Sequence, residues 1–330
     1  MTQIQNKSGK DKSGKDTLDL LPKIPLLSIC ITTRNRPDEL LTCLNSLSRI
    51  EGIEFEVIVS DDASAEPVFP QVINSINSRI SKKLRLTRFE DNIGLIAARN
   101  ELAKLAAAPY ILSLDDDAVL HKPDVVYKAI KALDSDSKIG AVALTQSGED
   151  GTLLPKNKQP APVDYACFAC SYIGFGHMLR RDLFLQLGGY RGIFWYGYEE
   201  AEYAKRMLNS GFHVLFLPDV GIIHYHSPIG RSKLRHMRNG CRNKCFAAMY
   251  NEPLPMALVS VPLRLGSYFI SRRKICRDYG LSDEGGMRWL AKELVDNFST
   301  VWKDRKALKW ATYFRWHQIQ KTYPPYDFSM

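Results

Sequence analysis

The sequence predicts an α/β protein, in which a mostly parallel sheet is flanked by helices and followed by a C-terminal helical extension. Short β-branched runs alternate with segments whose leucines and alanines recur at helical spacing. This alternation is typical of a parallel sheet that is covered on both faces. The charge also changes along the chain, because residues 228–330 hold 19 Lys and Arg against 8 Asp and Glu, whereas the residues before them hold 26 against 28.

The predicted elements follow one another in a regular order. LLSICITT at residues 26–33 and FEVIVS at residues 55–60 predict two strands, and the leucines of residues 37–50 predict the helix between them. The pattern continues with four more predicted elements, which are a helix at residues 68–80, a strand at 84–89, a helix at 95–107 and a strand at 110–114. From residue 228 onward the pattern is helical, basic and aromatic, and Pro253, Pro255 and Pro262 are expected to break it.

Three regions are predicted from composition. Residues 1–23 have almost nothing to bury and predict a disordered tail. Residues 24–227 carry the α/β pattern, and residues 228–330 form the basic, mainly helical region. We expect a cytoplasmic protein, since the N-terminus lacks the apolar stretch of a signal peptide and no later run reaches the roughly eighteen uninterrupted apolar residues of a spanning helix.

Polar side chains follow three of the predicted strands where each strand ends. Thr32 and Asn35 follow the first strand, Asp62 follows the second, and Asp115, Asp116 and Asp117 follow the fourth. Ligands of open parallel sheets bind beyond the carboxyl ends of the strands, so these loops are expected to meet in one cleft. Carboxylates two residues apart can share one divalent cation while phosphates fill its other positions. A simple acidic turn is the alternative for the three aspartates.

The order of motifs resembles the family 2 inverting glycosyltransferases, which have the Rossmann-like GT-A fold. The resemblance extends over roughly residues 26–227, and the matching segments are LSICITTRNRPDELLTCLNSL, VIVSDDAS, NIGLIAARN, YILSLDDDAVL, GFGHMLRRDLFLQLGGY, WYGYEEAEYAKRMLNSGFHVLFLPD and IIHYHS. It implies a glycosyltransferase that takes a sugar from a nucleotide-sugar donor with inversion. Each motif is weak alone, and their shared order carries the resemblance.

The resemblance also implies roles for individual residues on the donor side. Thr32 and Asn35 would line the nucleotide pocket, and Asp62 would accept a hydrogen bond from the base, with a helix cap as the alternative. The resemblance further implies a DXD metal site for Mn²⁺ or Mg²⁺, formed by Asp115, Asp117 and His224, with His226 as the substitute ligand. Asp116 would lie near the ribose. Arg99 is a candidate contact of the diphosphate, with a surface salt bridge as the alternative.

The helix predicted after residue 198 carries the candidate base. Winding it at about 100° per residue places Glu200 on the flank of the apolar face and turns Glu199, Glu202 and Arg206 the other way. Partial burial would raise the pKa of Glu200 and improve it as a base. The resemblance selects the same residue, because EE stands here where the family usually has ED.

Acceptor contacts are predicted around the same helix. Trp195 and Tyr196 could form an aromatic platform for a sugar, with core packing as the alternative. Glu199 is a further candidate contact.

The expected partners are a donor and a carbohydrate or lipid-linked acceptor. UDP-hexoses, UDP-N-acetylhexosamines and dTDP-rhamnose are the candidate donors, and a polysaccharide or glycolipid pathway is expected by family analogy. The aromatic and basic C-terminal region predicts peripheral contact with an anionic membrane, with packing on the catalytic domain or a dimer interface as the alternative. No nucleic-acid module is evident. Two rival functions are a nucleotidyltransferase, which would need a glycine-rich phosphate loop, and a non-catalytic carbohydrate-binding scaffold.

Overall fold

A computed structural model describes residues 24–230 and 232–328, so the predicted tail at residues 1–23 lies outside the described residues. The elements up to residue 227 are β1 (Leu27–Thr33), α1 (Pro37–Ser46), β2 (Phe55–Asp61), α2 (Phe69–Val72), α3 (Ser78–Ser81), β3 (Leu84–Arg88), α4 (Leu95–Leu105), β4 (Tyr110–Asp115), β5 (Ala118–Leu120), α5 (Val125–Ser135), β6 (Ile139–Ser147), β7 (Cys167–Ala169), β8 (Gly176–Arg180), α6 (Arg181–Gln186), α7 (Glu199–Asn209) and β9 (His213–His224). The later region contains α8 (Lys233–Asn251), α9 (Leu254–Tyr279), α10 (Gly286–Asp296), α11 (Phe298–Lys303) and α12 (Trp310–Thr322).

The strands form one mixed sheet with the order β3-β2-β1-β4-β8-β6-β9-β5, and β7 also pairs with β9. Strands β1 to β4 run parallel to one another, whereas β8 is antiparallel to both of its neighbours. The register pairs Thr33 with Asp61 and Thr32 with Asp115, so β1, β2 and β4 end at the same edge. The predicted convergence of their loops is therefore confirmed.

Two hydrophobic clusters cover the two faces of the sheet. Successive side chains of a strand point to opposite faces, so Ile29 and Ile31 pack in one cluster with α1 and α5, whereas Cys30 packs in the other. The second cluster includes side chains from α4, α6, α7 and α8. Helix α8 thus contributes to the core of the α/β domain, although it comes after residue 227.

The prediction of one continuous helix at residues 68–80 is wrong. The segment consists of α2, a single 3₁₀ turn at Ile73–Ser75, and α3. Asn77 interrupts it, because its side chain accepts a hydrogen bond from the backbone N–H of Arg79 and begins a new helix.

The C-terminal region is helical, as predicted, but one expectation about it is wrong. Pro262 does not break the region, since it lies inside the 26-residue helix α9, whereas Pro253 and Pro255 stand at the start of that helix. An uninterrupted apolar run of about eighteen residues is absent from the sequence, as stated above, yet α9 is by length and composition alone long and apolar enough to cross a membrane, with 11% of its most apolar window buried. Counting uninterrupted apolar residues missed it, since Pro262, Arg264 and Ser267 interrupt the run without ending the helix.

Candidate active site

Asp115, Asp117 and His224 form a cluster that could hold a metal ion. One oxygen of each carboxylate and one imidazole nitrogen lie within 4.8 Å of one another. His224 Nε2 is 3.1 Å from Asp117 Oδ1. The arrangement follows from the sheet, because Asp115 ends β4 and His224 ends β9 at one edge. Carboxylates suit Mn²⁺ and Mg²⁺, and imidazole binds first-row transition metals, so the residues present fit the predicted Mn²⁺ or Mg²⁺, with the histidine favouring Mn²⁺.

His226 does not join this cluster. Its backbone has a φ of 54°, and its Nε2 lies 2.6 Å from Nε2 of Gln146. The rings of His224 and His226 are in contact, with centroids 3.9 Å apart. His224, which also stacks on Phe175, is therefore the histidine that the fold brings to the aspartates.

Asp116 is turned toward the first loop. Its two oxygens accept hydrogen bonds from Thr33 Oγ1 at 2.8 Å and from Arg36 Nη1 at 2.9 Å. Burial raises the pKa of Asp116 to about 7, although Arg36 and the Thr33 hydroxyl oppose this shift. The residue lines the cavity described next, but its carboxylate is already bound to protein groups, and a contact with the ribose stays a prediction.

A cavity of about 510 Å³ opens along the carboxyl edge of the sheet. Most of the predicted nucleotide and acceptor residues line it, together with residues of the segment after β9; among the lining residues are Thr32, Asn35, Asp62, Gly94, Asp115, Asp116, Trp195, Tyr196, Ile229, Lys233, Arg235, His236 and Asn239. The sequence expectation for the cleft is thus correct in its location. The volume is in the usual range for a site that binds a small molecule.

Asp62 is held by the loop before α4. One of its oxygens accepts the backbone N–H of Ile93 at 2.8 Å, and the other accepts that of Gly94 at 3.0 Å. The helix-cap alternative is wrong, because the next helix, α2, begins only at Phe69, and the N–H of Ser64 is bound by the neighbouring Asp61 within the intervening loop. A carboxylate has about four lone-pair directions, so Asp62 can still accept a further hydrogen bond from a ligand in the cavity.

Arg99 connects the metal cluster to α7. Its side chain is buried, and its guanidinium donates to Asp115 Oδ1 at 2.5 Å, to Glu199 Oε1 at 3.1 Å and to the carbonyl of Gly174 at 2.7 Å. The surface salt bridge considered for this residue is therefore wrong. A contact with the donor diphosphate stays a prediction, because all of these partners belong to the protein.

Glu200 lies beside Gly174, at the start of α7. A methyl group on Gly174 would come within 2.3 Å of Glu200 Oε1, so the glycine provides the space that the carboxylate occupies. Burial, followed by the negative charge of Glu199, raises the pKa of Glu200 to about 8. The predicted direction of this shift is confirmed, and a carboxylate with such a pKa is a suitable general base near neutral pH.

The expectation that Glu199 and Glu202 face away from the protein is wrong. Glu199 is 2% exposed and paired with Arg99, so an acceptor contact would require that pair to open. Glu202 is fully buried between Arg191 and Arg206 and also accepts a hydrogen bond from Asn251 of α8. The side of α7 that we expected to face solvent is covered by Arg99 of α4 at Glu199 and by Asn251 of α8 at Glu202.

Trp195 and Tyr196 stand in an unusual loop before α7. Trp195 is 47% exposed with a φ of 60°, and its ring packs over Gly94 in the cavity. The ring of Tyr196 meets that of His236 edge to face. The core-packing alternative does not hold for Trp195, and both rings are available to the cavity that they line.

Asn243 of α8 fixes this loop from behind. Its fully buried side-chain amide donates to the carbonyls of Phe194 at 2.9 Å, Tyr196 at 2.9 Å and Gly197 at 2.6 Å. Sequence reasoning missed Asn243 and also Arg36, which joins Asp116 to the carbonyl of Ile229. Arg36 had a detectable signal, since it follows the first strand within TTRNRP, but Asn243 lies in a part of the chain that we treated as an appendage.

Comparison with known proteins identifies the family. The model of the glycosyl transferase family 2 matches residues 28–201, which is more than half of the chain. The chain belongs to glycosyl transferase family 2. This confirms the predicted family and the glycosyltransferase class over the nucleotidyltransferase alternative.

The chain is also similar, at low sequence identity, to a curated glycosyltransferase and to two solved structures. An uncharacterized glycosyltransferase of Haemophilus influenzae is 25% identical over 171 residues, which cover 50% of this chain and 56% of that protein. The chain therefore spans little more than half of the length of this curated relative.

Two solved structures share the fold. The mannosyltransferase PcManGT from Pyrobaculum calidifontis, in complex with GDP-Man and Mn²⁺, has a TM-score of 0.57 at 17% identity and covers 90% of this chain and 87% of its own. S. aureus TarS 1-349 in complex with UDP-GlcNAc has a TM-score of 0.56 at 14% identity, and the match covers 84% of this chain and 90% of the TarS chain. These likenesses confirm the predicted GT-A fold.

Proposed function

We propose that the protein transfers a sugar from a nucleotide-sugar donor to an acceptor hydroxyl, with inversion at the anomeric carbon and with the help of a divalent metal ion. The observation that carries this proposal is the arrangement at one sheet edge. Asp115, Asp117 and His224 come together there, and Arg99 connects Asp115 to the beginning of α7, where the candidate base Glu200 lies.

The donor is proposed to lie in the cavity above β1, β2 and β4. Thr32 and Asn35 line its floor, and Asp62 can accept an N–H of the base. We favour a UDP- or dTDP-linked sugar, because the imide N–H of uracil and thymine suits a carboxylate acceptor. The two similar structures hold a guanosine donor in one case and a uridine donor in the other, so support for this choice comes from Asp62 rather than from the fold.

The cations of the cavity are suited to a diphosphate. Arg34, Arg36, Lys233 and Arg235 line it. When bound by Asp115, Asp117 and His224, Mn²⁺ or Mg²⁺ would act as a Lewis acid toward the leaving diphosphate. This role agrees with the Mn²⁺ in the complex of the similar mannosyltransferase.

Glu200 is proposed as the general base. It takes the proton of the acceptor hydroxyl, whose oxygen forms the new bond to the anomeric carbon while the bond to the nucleoside diphosphate breaks on the opposite side. Trp195 and Tyr196 would hold the acceptor sugar by its apolar face. The acceptor is proposed to be a carbohydrate or a lipid-linked sugar in polysaccharide or glycolipid synthesis. We place the reaction in the cytoplasm, because the odd number of scattered cysteines suits a reducing compartment.

The proposal is tested by incubating the protein with a panel of nucleotide sugars and acceptors, with manganese or with a chelator, and measuring the released nucleoside diphosphate. Glu200→Gln should lower kcat by roughly two to four orders of magnitude and leave the donor KM unchanged, because it removes only proton acceptance. Since a base works in its deprotonated form and the pKa of about 8 belongs to the protein without substrate, wild-type kcat/KM should rise with pH and level off above about 8.

The matched control is Glu101→Gln, which neutralises a glutamate on the exposed surface of α4. Its rates should equal those of the wild type. Manganese-independent turnover, or a Glu200→Gln variant with wild-type rates, would remove the metal or the base from the proposal.

A further inference from the structure

Helix α9 exposes a continuous apolar face. It contains 26 residues, of which Ala257 and Tyr268 are buried. At about 100° per residue, these two fall on one half of the helix, and most of the exposed apolar side chains fall on the other half. The apolar side chains on the exposed half include Leu258, Leu263 and Ile270, which are 67%, 68% and 74% exposed.

The exposed half of α9 changes from apolar to cationic toward its C-terminal end. The same winding places Arg273 and Arg277 on this half, one to two turns beyond Ile270, and both are exposed. A cavity of about 340 Å³ opens at this end, and its lining includes Arg272 and Arg273 together with Leu281, Ser282 and Asp283, the last of which is paired with Arg272. A lipid surface presents the matching chemistry, with acyl chains for the apolar part and anionic headgroups for the cations.

The buried half of α9 is tied to the rest of the protein. Arg264 pairs with Glu252 at 2.7 Å, Arg272 pairs with Asp283 at 3.2 Å, and the Tyr268 hydroxyl also bonds to Asp283. A helix that crossed a bilayer would have to take these charges into hydrocarbon, which is strongly unfavourable for arginine near the centre of a bilayer. The contacts therefore favour a helix that lies in the plane of the surface.

A second copy of the chain fits this face less well. In an antiparallel two-fold pair, Arg273 and Arg277 of one copy would lie against the apolar part of the other. In a parallel pair the cationic ends would meet each other. An anionic surface avoids both conflicts.

The aromatic side chains of the C-terminal region, on which the predicted membrane contact was based, fall into a buried group and a half-exposed group. Trp316 and Tyr313 are buried, and the ring of Trp289 packs with Arg242 and the core below α9. Trp302 and Trp310 are about half exposed. Tryptophan at the surface of a basic region is typical of membrane interfaces.

We propose that the protein binds an anionic membrane surface through α9, with the apolar half of the helix in the outer acyl region and Arg273 and Arg277 at the headgroups. This inference goes beyond the proposed transfer reaction and does not depend on it. Binding of the membrane would bring the cavity of the candidate active site close to lipid-linked acceptors.

Vesicle flotation of the full chain tests the proposal, with vesicles of equal parts phosphatidylglycerol and phosphatidylcholine and with pure phosphatidylcholine as the comparison. The wild type should float with the anionic vesicles at low salt. The combined variant Leu258→Gln, Leu263→Gln, Ile270→Gln should not float. The variant Arg273→Gln, Arg277→Gln should bind the anionic vesicles about 25-fold more weakly, at about fivefold for each charge.

The matched control is Val295→Gln, which replaces an equally exposed apolar residue of α10 and should float like the wild type. Circular dichroism and thermal unfolding confirm that each variant is folded. The proposal fails if the wild type stays with the soluble fraction, or if the triple variant floats as well as the wild type. It also fails if light scattering shows a dimer that the triple variant abolishes while neither protein binds vesicles. Flotation uses no donor or acceptor, so its outcome is separate from that of the transferase assay.

Discussion

Helices α8 and α9 are neighbours in the sequence, and their burial is the reverse of what their compositions suggest. Helix α8 contains many polar and charged residues, yet 11 of its 19 residues are buried, among them Arg242 and Asn243. Helix α9 begins with a long apolar stretch, yet two of its 26 residues are buried. Composition therefore does not report which helix belongs to the core. The polar groups of α8 are buried because they have hydrogen-bond partners, and the apolar groups of α9 are exposed because no part of the described chain covers them.

The largest expected effect concerns Glu202, which α8 helps to enclose. Glu202→Gln should lower the free energy of unfolding by about 3–5 kcal/mol, because it leaves Arg191 and Arg206, whose side chains are only 16% and 13% exposed, without their buried counter-charge. Urea unfolding measures the change. Glu101→Gln breaks an exposed pair and serves as the control, with an expected change below about 1 kcal/mol. An equally small effect for Glu202→Gln would mean that α8 does not shield this side of α7 in solution.

The next effect concerns Asn243, which we interpret as a positioning residue. Asn243→Ala removes three hydrogen bonds to the loop of Trp195 and should destabilise the protein by about 1–3 kcal/mol. Acceptor kcat/KM should fall by about a hundredfold, because the loop loses its fixed geometry. The donor KM should stay the same. Steady-state kinetics with varied donor and varied acceptor separate the two, and a parallel loss for both substrates would indicate a general loss of structure instead.

The smallest effect is expected on α9. Leu263→Ser should change the free energy of unfolding by no more than about 0.5 kcal/mol, because the side chain is 68% exposed. The same urea measurement applies here. A loss of several kcal/mol would show that this face is covered in solution, and the contrast between the two helices would then disappear.

The sequence was sufficient to predict the first half of the sheet and the position of the cleft. Strands β1 to β4 alternate with helices, and β1 and β2 have short β-branched runs, so local patterns and the rule for parallel sheets determine where Asp62 and Asp115 lie. His224 was found by its place in the family order, and the register of β9 brings it to the same edge.

The environment of α7 could not be predicted in this way. Helical winding turned Glu200 toward the protein and Glu199 and Glu202 toward water, whereas in the structure Glu199 and Glu202 are buried and Glu200 is only half-buried. The argument assumed that the polar side of the helix faces water. The neighbours that bury Glu202 include Asn251, which lies 49 residues later in the chain and in a region of different composition. Single-sequence periodicity carries no information on which distant element covers a face. The same reason explains why Asn243 was missed.

The attachment of the Trp195 loop to Asn243 has a consequence for the inheritance of acceptor specificity. The segment matched by the family model ends at residue 201, but the amide that holds the loop belongs to Asn243 of α8, more than forty residues downstream. A loop transplanted from a relative would arrive without its support. We therefore expect that acceptor specificity can be transferred between relatives only when two separate segments, the Trp195 loop and α8, are exchanged together.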